Sequence, residues 1–215
     1  MKIDYKIMGV PSRKDNIEVL KRAIGITDTD VFIDTECRKN PMWTWKNAAR
    51  LVSKKATHLV IVQDDAILCD RFTEFCEYLV RRFPNDILML CNKYDVSHVL
   101  PKGVVFQPGY CVGGQATILP TSYIERIAEC QERDFPNHTE DDNMICYWAY
   151  HNNVRVLATH PSIVTTFEGG SEISHKGNTA ALFEPNPIGK KWANATSKPL
   201  FTNRSWESPS SPFVR

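Results

Sequence analysis

Apolar residues recur along the first half of the chain in short runs that alternate with stretches of helical spacing. The runs that predict strands cover residues 3–10, 31–35, 59–63 and 86–92. The stretches that predict helices cover residues 16–25, 43–55 and 71–83. Strands that alternate with helices in this way predict an α/β layer whose strands run parallel. Parallel strands are buried on both faces, which explains why residues 59–62 are continuously apolar.

The pattern becomes looser after residue 92, although further elements can still be predicted. Short β-like pieces, helices and a last strand are predicted at residues 104–109, 113–120, 121–133, 141–152 and 154–161. Residues 168–215 are rich in Gly, Pro, Ser and Asn and show little periodicity, so we expect loops that wrap the domain. A chain of 215 residues is long enough for one sizeable core, and we therefore expect a single domain.

Composition narrows the class of protein. Hydrophobic content of 42% and a formal net charge of +1 are typical of a globular protein and give no reason to expect specific nucleic-acid binding. The chain has no apolar run long enough for a transmembrane segment and no apolar signal region at its start, so a cytoplasmic location is expected. Seven cysteines without a CxxC pair indicate buried free thiols rather than disulfides or a zinc site.

Two adjacent carboxylates end the strand in THLVIVQDDAILC, residues 57–69. Asp64 and Asp65 follow the apolar run directly, at the end of a parallel strand where α/β proteins bind ligands. Two like charges at such a place need a positive partner, and hard oxygen ligands suit Mg²⁺ or Mn²⁺, which usually arrive with a diphosphate. The structural alternative is that both residues cap the turn that follows.

The run WxxKNAARLVSKKATHLVIVQDDAIL, which begins at Trp43, resembles the segment of GT-A glycosyltransferases in which a hydrophobic strand ends in a DxD or EDD motif. The resemblance implies a GT-A, Rossmann-like fold with a mixed, mostly parallel central sheet flanked by helices. It also implies Mn²⁺ or Mg²⁺ and a nucleotide-sugar donor, with a UDP-sugar expected. Asp65 then takes the metal-binding position and Asp64 the position that faces the donor. Gln63 stands where the family has an acid, so the ribose and metal contacts are expected to be altered.

Further segments match the family in order along the chain. Pro11, Ser12 and Arg13 follow the first strand, where GT-A enzymes surround the base and pyrophosphate, and Arg13 is suited to phosphate. Asp34 falls where such folds contact the nucleoside. The pair at residues 113–114, Gly113 and Gly114, falls where small residues let the backbone approach the donor sugar. The structural alternative is that these residues simply form turns and bulges, where Pro and Gly are common.

A late segment, PSIVTTFEGGSEISHKG at residues 161–177, resembles the GT-A strand and Gly/Ser loop that lead to a histidine. In the family that histidine closes over the metal or pyrophosphate. The resemblance therefore implies that His175 binds the metal and that Lys176 faces the diphosphate. The structural alternative is a solvated loop histidine.

The acidic cluster at residues 138–142 has two interpretations that are compatible with each other. Thr139 and Asp142 have the spacing of a capping box for the helix that follows. Inverting GT-A enzymes place an Asp at the start of a late helix as general base, which makes Asp142, and next Asp141, the candidate catalytic residues. A retaining enzyme needs no such base, and the sequence leaves the choice between inverting and retaining open.

Aromatic residues are candidates for stacking on an acceptor sugar. Trp45 and Trp148 lie at helical spacing and are predicted to belong to the core. Trp43, next to a proline in a predicted loop, is the better acceptor candidate, with Tyr110 and Phe167 as further ones.

The resemblance thus predicts a metal-dependent glycosyltransferase that moves a sugar to a glycan or glycoprotein acceptor. Residues 1–92 would form the nucleotide-binding half, residues 93–167 the acceptor and catalytic half, and residues 168–215 the wrapping tail. A bacterial surface-glycan enzyme or an enzyme of a large DNA virus, working in the host cytoplasm, would fit this size. The alternatives are a nucleotidyltransferase-type phosphoryl-transfer enzyme and a non-catalytic sugar-binding or nucleotide-binding relic.

Overall fold

The computed structural model of the chain describes residues 1–108, 111, 113–166, 180–188, 190 and 192–194. Its α-helices are α1 Lys14–Ile24, α2 Pro41–Ala49, α3 Phe72–Arg82, α4 Ile124–Asp134 and α5 Asp141–His151. Its strands are β1 Ile3–Gly9, β2 Val31–Ile33, β3 His58–Gln63, β4 Ala66–Leu68, β5 Ile87–Met89, β6 Val104–Phe106, β7 Ala116–Pro120, β8 Val156–His160, β9 Val164–Thr166 and β10 Ala193–Asn194. Three short 3-10 turns complete these elements, at Pro11–Arg13, Asp28–Asp30 and Thr121–Tyr123.

The described strands form an eight-stranded sheet in the order β10-β6-β8-β5-β7-β3-β1-β2 and a two-stranded sheet of β4 and β9. In the large sheet β2, β1, β3, β5 and β8 run in one direction, while β7, β6 and β10 run in the other. The mixed, mostly parallel α/β architecture predicted from the sequence is confirmed. Because β1, β2 and β3 are parallel neighbours, their carboxyl ends meet at one edge.

The core lies on both faces of this sheet. Side chains alternate along β3, so Leu59 and Ile61 face α2 and α5, whereas Val60 and Val62 face α1 and α3. All four are at most 2% exposed, and burial of one such aliphatic side chain contributes about 1.5–3 kcal/mol. The core assignment of Trp45 and Trp148 is confirmed, since they are 1% and 2% exposed.

Local details differ from the predictions in three places. Helix α2 ends at Ala49 and not near residue 55, because the chain turns to let the Ser53 N–H donate to the Asp4 carboxylate at 2.6 Å. The capping box is wrong, because α5 begins at Asp141 with Glu140 as its N-cap and no side-chain cap bond. Strands β4 and β10 were not predicted, since strands of three and two residues give almost no periodic signal.

The cysteines agree with the expectation of buried free thiols. All seven cysteines are free thiols, and every one except Cys37 is buried. No helix within the described residues is both long and apolar enough to cross a membrane.

Candidate functional site

A cleft of about 690 Å³, counting its open mouth, lies at the carboxyl ends of β1, β2 and β3. Five residues singled out in the sequence line it: Arg13, Asp34, Gln63, Asp64 and Asp65. Pro11 and Ser12 do not line the cleft but form the exposed 3-10 turn that leads to Arg13. The parallel arrangement of three strands is therefore what collects side chains that are far apart in the sequence.

Asp64 holds the chain that follows β1. Its Oδ2 accepts the Val10 N–H at 2.7 Å, its backbone carbonyl accepts the Asn16 amide, and Arg13 Nε lies 3.8 Å from its Oδ1. Gly9 has no side chain at this point, because a Cβ there would lie only 2.6 Å from Asp64 Cβ. Asp64 thus has a structural contact, but with the chain after β1 and not as the predicted cap of the turn that follows β3. Its predicted contact with the donor stays a prediction.

Asp65, one residue later, has the opposite surroundings. Its Oδ1 is buried and has no hydrogen-bond partner within the described part of the chain. Burial raises the pKa of Asp65, while the positive charge of Arg13 acts in the other direction. Asp65 also adds to the rise of the Cys91 pKa to about 12, which is mainly due to burial of that thiol. A desolvated carboxylate oxygen without a partner is costly unless a cation or a proton meets it.

The donor chemistry of Asp65 fits a hard divalent cation such as Mn²⁺ or Mg²⁺. Over the described residues, no group of three or more His, Cys, Asp or Glu side chains is close enough to hold a metal ion by itself. His175 and Lys176, the predicted partners for metal and diphosphate, lie outside the described residues, as do Tyr110 and Phe167. The metal assignment therefore rests on Asp65 and stays a prediction.

Asp34 organises the loop between β2 and α2. Its buried carboxylate accepts the Arg38 N–H at 2.7 Å, the Arg38 Nη1 at 2.7 Å and the Glu36 N–H at 3.2 Å. The Arg38 guanidinium also stacks over Trp43, 4.0 Å from the ring centroid. Trp43 lies in the first turn of α2, so its predicted position in a loop is wrong. One face of its ring is covered by the Arg38 guanidinium. The nucleoside contact of Asp34 stays a prediction.

Two acids at the start of α5 lie beside Gln63. Asp141 is 5% exposed, and the Gln63 Nε2 lies 3.5 Å from its Oδ2. Burial, and next the charge of Asp142, raise the pKa of Asp141 to about 8. Asp142 is half-buried, and its Oδ1 accepts the Asn143 N–H at 2.7 Å. This end of α5 therefore holds one carboxyl group that keeps its proton at neutral pH and one that is partly open to solvent.

The diglycine before β7 allows these groups to come together. A Cβ on Gly114 would lie 2.9 Å from Asp142 Cβ and 3.4 Å from Gln63 Nε2. Gly113 has a φ of +145°, and a Cβ there would lie 3.2 Å from the Cys91 carbonyl oxygen. Both glycines are thus explained by close packing of the chain. Their predicted contact with the donor sugar stays a prediction.

The structure adds cleft residues that the sequence did not indicate. Cys37 and Lys39 line the cleft, and both adopt left-handed backbone conformations, with φ of 48° and 53°. Residues other than glycine seldom adopt the left-handed backbone conformation, and the residue types Cys and Lys do not predict it. The signals that do exist here, Asn40 as N-cap and Pro41 at the first helical position, mark only the start of α2.

No family model matches the chain, and no curated protein matches it. Three solved structures are similar over about four-fifths of this chain. An inositol-1-phosphate CTP transferase from T. maritima has 6% identity and a TM-score of 0.43, covering 79% of this chain and 72% of that one. A protein from STIV has 14% identity and a TM-score of 0.44, covering 80% and 87%. A glycosyltransferase involved in glycosylation of the major capsid of PBCV-1 has 8% identity and a TM-score of 0.41, covering 79% and 95%. With TM-scores below one half, these likenesses carry no argument about function.

Proposed function

We propose that the chain is a metal-dependent glycosyltransferase that transfers a sugar from a nucleotide-diphosphate sugar, expected to be a UDP-sugar, to a glycan or glycoprotein acceptor. The observation that carries the proposal is the buried Oδ1 of Asp65, which has no hydrogen-bond partner among the described residues. It lies at the carboxyl edge of three parallel strands, in a cleft that Arg13 also lines. The segment around Asp65 resembles the GT-A metal motif. We therefore take the cation to be Mn²⁺ or Mg²⁺ and the diphosphate to be that of a nucleotide sugar.

On the donor side, Asp65 would hold Mn²⁺ or Mg²⁺, together with His175. When bound, such an ion offsets the negative charge that develops on the departing diphosphate. Arg13 and Lys176 would add positive charge at the same place, since guanidinium and ammonium groups both bind phosphate oxygens. Asp34, Gln63 and Asp64 would contact the nucleoside and the sugar from the walls of the cleft.

On the acceptor side, the two acids of α5 would have different roles, because Asp141 is buried and Asp142 is partly open to solvent. The Asp141 pKa of about 8 keeps that group largely protonated at neutral pH, which makes it a poor base there. Asp142 is partly open to solvent and would take the proton of the acceptor hydroxyl in an inverting reaction. In a retaining reaction the acceptor attacks from the side of the leaving group, and Asp142 would then only orient the hydroxyl.

A calorimetric titration with UDP, with and without Mn²⁺, tests this proposal, and a screen of UDP-sugars for release of free sugar follows it. We expect UDP binding that depends on Mn²⁺ in the full chain and slow sugar release from one donor. Absence of UDP binding would overturn the proposal. Binding without sugar release or transfer would indicate a non-catalytic relic, and release of pyrophosphate from a nucleoside triphosphate would indicate a nucleotidyltransferase.

A further inference from the structure

We propose that Gln63 is a positioning residue for Asp141, and that its amide replaces an acid at the end of β3 because a carboxylate there would face a second buried carboxyl group. The assignment deepens the proposed glycosyltransferase function, on which its catalytic meaning rests. It concerns the one position at which the strand motif departs from the GT-A pattern.

The backbone fixes Gln63 at the meeting point of the two halves of the site. Its N–H donates to the Gln115 carbonyl at 2.8 Å, and its Cα is paired with Met8 of β1. From there the side-chain Nε2 reaches to 3.5 Å from Asp141 Oδ2. The missing side chain of Gly114 leaves the space beside this contact, since a Cβ would come 3.4 Å from the same nitrogen. Residues 78 positions apart are thus held side by side.

The groups around Asp141 are mostly acidic or neutral. Its carboxylate accepts backbone N–H groups at the start of α5, and Gln63 is the side chain, among those described, that donates to it. Asp142 is the charged group that acts on Asp141, and the titratable groups that interact with Asp142 or with its neighbours come from α5, the segment before it and the loop before β7: Cys146, His138, Glu140 and Cys111. Lys46 of α2 is bonded to Gln131 and Glu132 instead. Within the described residues, no lysine or arginine is among the groups that shift the pKa of Asp141.

A carboxylate at position 63 would face Asp141 at about the distance that the amide now has. Two carboxylates that share a desolvated place cannot both ionise, and one of their pKa values is strongly raised. The amide avoids this repulsion and supplies an N–H that favours the ionised form of Asp141. It also fixes the direction of the carboxyl group next to Asp142, which would receive the acceptor proton. The Gln63 side chain therefore connects the donor edge of the cleft with the acid pair.

The test follows the titration of the Asp141 carboxyl group by ¹³C NMR in the full chain without ligand, with Asp141→Asn used for assignment. The variants are Gln63→Leu, which removes the hydrogen-bond donor, and Gln63→Glu, whose side chain has nearly the same shape as glutamine but carries a negative charge. Gln115→Glu is the matched control, because Gln115 lies just before β7, its backbone carbonyl accepts the Gln63 N–H, and its side-chain Oε1 has no hydrogen-bond partner among the described residues.

We expect Gln63→Leu to raise the Asp141 pKa by about half to one unit, and Gln63→Glu to raise it by more than one unit, that is, more than tenfold in proton affinity. Gln115→Glu should raise it less than Gln63→Glu does. The inference is overturned if both Gln63 variants titrate like the wild type, or if Gln115→Glu has as large an effect as Gln63→Glu. Near-ultraviolet circular dichroism checks the fold, and Gln63→Met replaces Gln63→Leu if the latter unfolds.

This measurement separates the inference from the proposed function, since it needs neither metal nor turnover. If the titration behaves as expected and UDP does not bind, the positioning role stands and the transferase proposal fails. If the protein transfers sugar and the titration is unchanged in the Gln63 variants, the transferase proposal stands and the positioning role fails. In an active enzyme, the pH profile of turnover should move by the same amount as the Asp141 titration.

Discussion

The site contains two pairs of adjacent acids, Asp64–Asp65 at the end of β3 and Asp141–Asp142 at the start of α5. In each pair one carboxylate accepts a backbone N–H at 2.7 Å, from Val10 for Asp64 and from Asn143 for Asp142. The other acid of each pair has a pKa that desolvation raises, since Asp141 is buried and Asp65 has one buried carboxylate oxygen. Each pair thus contains one acid whose charged form is strongly desolvated.

The two desolvated acids differ in the charge next to them. Arg13 favours the ionised form of Asp65, and one oxygen of that carboxylate has no hydrogen-bond partner in the described part of the chain. Asp142 disfavours the ionised form of Asp141, whose oxygens accept backbone N–H groups and the Gln63 amide. A carboxylate held near a positive charge with an open oxygen is suited to a cation, whereas one held near a negative charge is suited to a proton. The difference supports the proposed metal position at Asp65, in the cleft, and the proposed proton position at Asp141, which the cleft residue Gln63 contacts.

The largest effect is expected for Asp65→Asn. We predict that the affinity for UDP in the presence of Mn²⁺ falls by about 100-fold or more, because loss of a ligand should cost at least as much as loss of its supporting contacts. Calorimetry measures the change. The unfolding free energy without metal should not fall, since the carboxylate of Asp65 has a buried oxygen that gains nothing from the described protein. Unchanged affinity, or a marked loss of stability, would assign Asp65 a structural role instead.

Asp141→Asn should change how stability depends on pH. The Asp141 pKa is about 8 in the folded protein and about 4 in the unfolded chain. Between these values the folded state binds more protons, so stability is lost as pH rises, at up to about 1.4 kcal/mol per pH unit. The variant should flatten this decline without abolishing it, since the raised pKa of Asp65 acts in the same direction.

Urea unfolding at several pH values between 5 and 8 measures this change in slope. Asp134→Asn is a suitable control, because Asp134 is bonded to Arg133 at the end of α4, away from the cleft. If Asp141→Asn and the wild type lost stability in parallel, Asp141 would not be the group that retains the proton.

The sequence was sufficient for the elements of the sheet and for one wall of the cleft. Apolar runs such as residues 59–62 identify strands, and acids directly after a parallel strand must lie at its carboxyl edge. The adjacency of Asp64 to Val10 already depends on the order of β1 and β3 in the sheet, which the periodicity of neither strand contains.

The contact between Gln63 and Asp141 was harder to predict from the sequence. The contact between Gln63 and Asp141 joins the two halves of the chain, and it requires the glycine at position 114, which as a residue type indicates only a turn. By residue type alone Asp64 and Asp65 are equivalent, and only the resemblance assigned the metal to Asp65. In the structure they differ because the Asp64 carboxylate accepts the Val10 N–H, whereas Asp65 has a buried oxygen and a pKa raised by desolvation.

We predict that Asp64→Ala lowers the free energy of unfolding, in addition to any effect on ligand binding. The Val10 N–H would lose its acceptor and Arg13 its ion-pair partner, and an unsatisfied half-buried donor costs about 1–3 kcal/mol. Urea unfolding measures this cost. Asp64→Asn is the matched variant and should lose less, because its carbonyl oxygen can still accept the Val10 N–H. Equal stability of Asp64→Ala and the wild type would contradict the structural role.

The smallest effect is expected for Asp142→Asn, which tests whether the charge of Asp142 contributes to the raised pKa of Asp141. The asparagine oxygen can still accept the Asn143 N–H, so the start of α5 should be kept. Without the neighbouring charge, the Asp141 pKa should fall by about one unit, which raises stability near neutral pH by about 1 kcal/mol. Unfolding curves at several pH values measure both changes. Asp142→Glu keeps the charge and should leave the decline of stability where it is in the wild type. If Asp142→Asn left it there too, burial alone would set the Asp141 pKa, and the two acid pairs would differ less in their electrostatics than in their hydrogen bonds.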